Sequence, residues 1–107
     1  MDEIAEVQRI SIEEAKRNLD ENQSIVLLDV RTKMEYDEGH IEGAINIPVN
    51  ELEYEIEDLV PNKKQTIYLY CRSGVRTIVA GDTLLNLGYT SVYDMGGIIY
   101  WPYEIVK

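Results

Sequence analysis

Ile67-Tyr68-Leu69-Tyr70-Cys71-Arg72-Ser73-Gly74-Val75-Arg76 is the stretch from which the rest of the chain can be read. It opens as a β-branched, aliphatic and aromatic run of the kind a buried strand requires, and that run ends at the only cysteine in the chain. A short, basic, glycine-containing loop follows, and from Thr77 the apolar spacing turns helical. A thiol set where a strand gives way to a helix N-terminus meets unpaired backbone N–H groups and the positive end of a helix dipole. Arg72 and Arg76 add two fixed cations. Surroundings of that kind favour the thiolate, the form of sulfur that attacks electrophiles. The ordinary alternative is an inert core cysteine behaving as a small hydrophobe. Charge distribution argues against it. The chain carries ten Lys and Arg against twenty Asp and Glu, a net charge of −10, yet two of those ten cations sit in the loop directly after the thiol. The stretch reads as a site for a reactive sulfur.

The totals narrow the classes. A chain of 107 residues, 45% hydrophobic and 28% charged, is expected to fold as one domain spanning residues 1–107, with a core that needs no disulfide or structural metal. Its acidity argues against nucleic acid or an anionic membrane as partner, because phosphate surfaces demand basic ones. No apolar run approaches a membrane span, and Met1-Asp2-Glu3-Ile4 has neither a basic n-region nor an apolar h-region. One cysteine makes no internal disulfide, so the expected location is cytoplasmic. One Cys and one His, His40, give no metal-ligand cluster, and no cofactor is expected.

Outward from the central stretch the pattern alternates strand and helix. Ser11 to Glu14 reads as a capping box, with Ile12, Ala15 and Leu19 on one helical face. Ser24 to Val30 is a continuous apolar run suited to a parallel strand covered on both faces. Ala44 to Ile47 is a short strand closed by Pro48. Asn50 is the expected cap of a helix carrying Leu52, Ile56 and Leu59, which Pro61-Asn62 ends. Thr77 to about Leu87 is the next helix, with Gly88 just past its end. Ser91 to Tyr93 is a last short strand, and Gly96-Gly97 punctuates before Ile98-Ile99-Tyr100-Trp101. The fold class expected is α/β: an open, mostly parallel sheet of about five strands with helices on both faces. Ligands of such sheets sit beyond the carboxyl ends of the strands, where Cys71 lies.

With these elements in place, the chain resembles a single-domain rhodanese, a sulfurtransferase module. Asp29-Val30-Arg31 with Glu35-Tyr36 resembles the family's Asp-x-Arg strand end and its following short helix. Gly39-His40-Ile41-Glu42-Gly43-Ala44-Ile45-Asn46-Ile47-Pro48 is similar to the family's Gly-His-Ile-x-Gly-Ala-x-Asn-hydrophobic-Pro segment. Tyr70 to Arg76 resembles the active-site loop of bacterial single-domain members, and Gly96-Gly97 with Trp101 resembles the C-terminal Gly-Gly-x-x-x-Trp. Thr77 stands where many relatives have Ser, and after Trp101 the family's usual final helix and tail look abbreviated.

The resemblance implies a reaction. A thiolate at Cys71 takes the outer sulfur of a donor such as thiosulfate, and the resulting persulfide passes it to cyanide, a thiol or a protein. It further implies that Ser73, Gly74, Val75, Arg76 and Thr77 bind substrate mostly through their amides, as an anion nest. Arg72 is then the side chain that meets an anionic donor, while Arg76 closes the loop or helps the helix start. Tyrosine-phosphatase-like enzymes place five residues between Cys and Arg, whereas four separate Cys71 from Arg76, a ring better suited to one sulfur than to a tetrahedral oxyanion. The alternative from another class is a non-catalytic or protein-to-protein sulfur-carrier module. Asp29 and Arg31 read as a buried pair tying neighbouring loops, His40 as a ring bonded to backbone, and Trp101 with Ile98 and Ile99 as a core plug. The run Glu51, Glu53, Glu55, Glu57, Asp58 reads as a solvated helix face.

Overall fold

The computed structural model describes residues 5–107. Its sheet is built from β1 (Gln8–Arg9), β2 (Val26–Asp29), β3 (Ile45–Asn46), β4 (Ile67–Cys71) and β5 (Val92–Gly97). The strand order is β1-β5-β4-β2-β3, and every pairing is parallel. Helices α1 (Ile12–Glu21), α2 (Lys33–Glu38), α3 (Leu52–Leu59) and α4 (Arg76–Asn86) alternate with the strands, and a 3-10 turn at Ile98–Tyr100 follows β5.

β4 lies at the centre, buried at every residue. Its alternation divides the core. Ile67, Leu69 and Cys71 face one side with Leu28, Val30, Leu52, Ile56, Ala80 and Leu84, the layer that α3 and α4 cover. Tyr68 and Tyr70 face the other with Ala15 of α1, Leu27, Ile41 and Met95. Helices therefore cover both faces of an open parallel sheet, the expected α/β class. A strand wet on neither side must be apolar throughout, which is why β4 reads as a continuous run.

Several boundaries depart from expectation. Two-residue β1 pairs Gln8 and Arg9 with Tyr93 and Asp94. It is exposed at both positions, so it leaves no hydrophobic period to detect. β5 extends to Gly97 rather than ending at Tyr93. The cap of α3 is Glu51, with no side-chain bond, rather than Asn50; the turn bond from the Glu51 amide to the Pro48 carbonyl, 2.9 Å, delays the helix start. Ser11 accepts the Glu14 amide at 3.1 Å, but the reciprocal capping box forms at Thr32 and Glu35. α4 starts at Arg76, one residue ahead of Thr77. The acidic residues 51, 53, 55, 57 and 58 are all exposed.

Tyr70 shows how the second layer is fastened. Its ring is buried among apolar neighbours, and its hydroxyl accepts the Ile41 amide at 3.1 Å. Burial, with the negative charge of Asp29, pushes the phenol far above its ordinary pKa, so it stays protonated. Tyr70→Phe orphans the Ile41 amide and is expected to cost about 1–3 kcal/mol, read as a lowered urea midpoint at unchanged m-value.

Candidate functional site

The carboxyl end of β4 delivers Cys71 to the top of the sheet, where it is 1% exposed. The Gly74 amide donates to its sulfur at 3.0 Å. Gly74 turns back through φ +102°, a conformation that side chains resist. The amides of Ser73, Val75, Arg76 and Thr77 find no acceptor among the described residues, and no side chain caps the start of α4. The loop thus holds one donor on sulfur and leaves a row of further donors beside it.

Two glycines make room for that loop. A Cβ at Gly97 would lie 2.3 Å from the Arg72 carbonyl oxygen and 2.7 Å from the Ser73 Cα, both backbone. The carbonyl of Arg72 then accepts the Ile99 amide at 3.2 Å. Register between β4 and β5 shifts between Leu69 and Cys71, so that Cys71 stands opposite Gly97. Gly96-Gly97, read from sequence as punctuation, is the floor on which the loop rests.

Electrostatics part the two loop arginines. The Arg76 guanidinium makes a two-pronged bond to Glu35 of α2, Nη1 to Oε1 at 2.6 Å and Nη2 to Oε2 at 2.9 Å. That bond, outweighing some desolvation, holds the Glu35 carboxyl at a pKa of about 2. Glu35 in turn raises the pKa of Arg76, against desolvation and with a further contribution from the charge of Cys71. Arg72 is exposed, and none of the ion pairs among the described residues uses it.

Thr77 and Asp94 support the loop from beneath. The buried Thr77 hydroxyl lies 3.0 Å from both the Gly74 carbonyl and Asp94 Oδ2, one proton between two acceptors. Asp94, 5% exposed, also accepts the Gly96 amide at 2.8 Å. A chain of contacts therefore runs from β5 through Thr77 to the Gly74 peptide and on to the thiol. Sequence reasoning named Glu35 and Gly97 only within family-like motifs and gave them no place at the loop, and it did not single out Asp94. Glu35 had a signal, the Thr-x-x-Glu capping pattern, but its second use by Arg76 is a contact across 41 positions.

The remaining residues tie the surrounding loops. Asp29, fully buried, pairs with Arg31 at 2.7 Å, and Arg31 Nη2 also donates to the Gly39 carbonyl at 2.7 Å. Asn46 Nδ2 donates to the Asp29 and Arg31 carbonyls. His40 Nδ1 lies 2.9 Å from the Tyr36 carbonyl, its ring stacks on Tyr36, and its backbone bridges to Val106. Neither group reaches the Cys71 loop by a described hydrogen bond. Trp101 and Ile98 pack against the second core layer, Trp101 half-buried with its indole donating to the Glu104 carbonyl at 3.2 Å, whereas Ile99, expected in the same plug, is 54% exposed because the 3-10 turn points it out of the core. Among the described residues no cluster of three His, Cys, Asp or Glu could hold a metal, and no helix is long and apolar enough to cross a membrane.

A parallel sheet presenting one thiol in an amide-lined loop defines a class, and comparison with known proteins agrees. The family model described as the rhodanese-like domain matches residues 11–101, and the chain belongs to that family. It is 39% identical over 71 residues to thiosulfate sulfurtransferase PspE of Escherichia coli (strain K12), covering 66% of this chain and 68% of that one. It is 31% identical over 96 residues to a sulfurtransferase of Allochromatium vinosum, covering 89% and 88%. Among solved structures, a rhodanese with anions from E. coli superposes with TM-score 0.73 at 36% identity, over 78% of this chain and 98% of that one. Two Bacillus subtilis relatives are longer, and the chain spans 47% and 62% of their lengths.

Two substitutions test the supports. Glu35→Gln keeps the capping geometry and removes the charge paired with Arg76. Because the folded pKa of Glu35 is lowered from 4.5 to about 2, its contribution is complete above the unfolded value and lost as pH falls through the folded one. The stability gap between wild type and Glu35→Gln should hold constant at neutral pH, shrink below pH 4.5 and close near pH 2, as read by urea midpoints along the series. Thr77→Val leaves the buried Asp94 carboxylate short of a donor and is expected to cost about 1–3 kcal/mol. Thr77→Ser, which keeps the hydroxyl, should recover most of that by the same measurement.

Proposed function

We propose that the protein is a sulfurtransferase that moves sulfane sulfur through a persulfide on Cys71. The observation that carries this reading is the Gly74 amide on Cys71 Sγ at 3.0 Å, within a loop whose neighbouring amides find no acceptor among the described residues. Donors fixed in advance around one sulfur favour an anion there, both the attacking thiolate and the terminal persulfide that follows. Membership of the rhodanese-like family, with relatives named as sulfurtransferases, supports the same chemistry.

The Cys71 thiolate attacks the outer sulfur of thiosulfate. The S–S bond of the donor breaks, sulfite leaves with the electron pair, and Cys71 carries a persulfide anion. Cyanide or a thiolate then attacks the terminal sulfur, giving thiocyanate or a new persulfide and restoring the Cys71 thiolate. No second cysteine is present to resolve the persulfide internally, so the acceptor is external. Exposed Arg72 is the cation that draws an anionic donor toward the loop in a molecule of net charge −10. Arg76, spent on Glu35, fixes the loop to α2.

Intact-protein mass spectrometry after incubation with thiosulfate tests the cycle. Wild type is expected to gain about 32 Da, the mass of one sulfur bound covalently to the nucleophile, and to lose it on adding cyanide as thiocyanate appears. Cys71→Ser should fold normally and gain nothing. An adduct retained in Cys71→Ser would refute the assignment.

A further inference from the structure

The apolar side chains most exposed on a protein are informative when they cluster. Val75 in the loop, Ile78 and Val79 on the first turn of α4, and Ile99 and Tyr100 in the 3-10 turn are each more than half exposed. Val75, Ile78 and Val79 share one stripe of the helix by their spacing. Ile99 meets the loop at its other end, where its amide bonds the Arg72 carbonyl at 3.2 Å. The thiol itself is 1% exposed. Chain connectivity and the Ile99 bond therefore place an open ring of uncovered apolar side chains next to the loop. Cyanide and thiosulfate gain nothing from such a ring, because neither has apolar surface to bury.

Charge outside the ring points the same way. Asp82 stands one turn further along the α4 stripe and is exposed, and the whole molecule carries −10. Apart from Arg72 at the loop itself, this field repels an acidic partner and draws in a basic one. We propose that this ring docks a protein acceptor that presents a cysteine on a protruding segment, with apolar residues beside the cysteine and Lys or Arg outside them. The proposal rests on the sulfurtransferase reading for its chemistry, but the surface can be tested without it. In the transfer, the acceptor thiolate attacks the terminal sulfur of the Cys71 persulfide. The Cys71 S–S bond breaks, the electron pair returns to Cys71, and the acceptor leaves as the persulfide.

Three probes separate the outcomes: glutathione, a short cysteine peptide flanked by Leu and Lys, and the same peptide with Gly and Glu in their place. The variant combines Ile78→Ser, Val79→Ser and Tyr100→Ser, none of which touches the sulfur. Sulfur transfer from loaded wild type to the Leu/Lys peptide should exceed transfer to the other two by about tenfold in kcat/KM, equivalent to about 1.4 kcal/mol. The advantage should vanish in the triple variant while thiosulfate-to-cyanide turnover holds. Equal rates for all three acceptors, or an advantage that survives the variant, would overturn the proposal. Binding is read separately, by amide NMR shifts on adding a Leu/Lys peptide with Ser for Cys. Shifts confined to residues 75–79 and 98–100 support the surface even where thiosulfate fails to load Cys71, a failure that would count against the sulfurtransferase reading alone. Absence of those shifts would overturn the surface whatever the chemistry does.

Discussion

The space where Gly97 lacks a side chain is the constraint on which the site depends. The Arg72 carbonyl and Ser73 Cα occupy it, closer to the backbone of β5 than any Cβ permits. Overpacking of this kind against backbone has no side chain to yield, so strand or loop has to move. Because β4 and β5 slip in register just before Cys71, the chain leaves the sheet leaning over β5 rather than rising straight from it. Gly74 then turns at positive φ, with its place for a Cβ 3.6 Å from the Gly96 Cα. The loop curls tightly enough for the Gly74 amide to reach back to the sulfur three residues before it. The pair of glycines on β5 and the single glycine in the loop are one geometrical solution, written in two places of the sequence.

Fastening such a loop at its far end falls to charge. Arg76 opens α4, where a cation opposes the helix dipole. Its placement there is unfavourable until Glu35 of α2 reaches across to it. Glu35 itself sits three residues into α2, where a carboxylate suits both the dipole and the capping box with Thr32. One carboxylate thus satisfies a helix start and holds the loop to a second helix. Among the described residues the pair leaves the loop with one arginine outside any ion pair, Arg72, so on the sulfurtransferase reading local attraction for an anion would depend on that residue more than two arginines in sequence imply.

How much of this was legible follows from range. The α/β class, the strand ending at Cys71 and the helix after it are visible because a buried parallel strand must be apolar throughout and an amphipathic helix must repeat. Ser73 and Gly74 announce a turn by residue type alone. Glu35, Asp94 and Gly97 act on the loop from positions 41, 17 and 25 away from their contacts, and no local period encodes such distances. β1 is too short and too exposed to carry a pattern. Asn50 illustrates the opposite error: it has the chemistry of a cap, but a turn from Pro48 moved the helix start past it.

A thiol that is 1% exposed yet proposed to react poses a physical question about access. Burial alone disfavours a charged sulfur, so the amide donated by Gly74 and the open donors beside it have to replace water as the solvent of the anion. Their benefit is greatest where water is scarce, because a hydrogen bond to charge strengthens as the local dielectric falls. The exposed apolar side chains around the loop would complete that exclusion once a partner covers them. On the docking proposal, a recessed thiol and the uncovered Val75, Ile78, Val79, Ile99 and Tyr100 serve one end: the sulfur would be hardest to reach for solvent and easiest to reach for a chain that brings its own apolar surface.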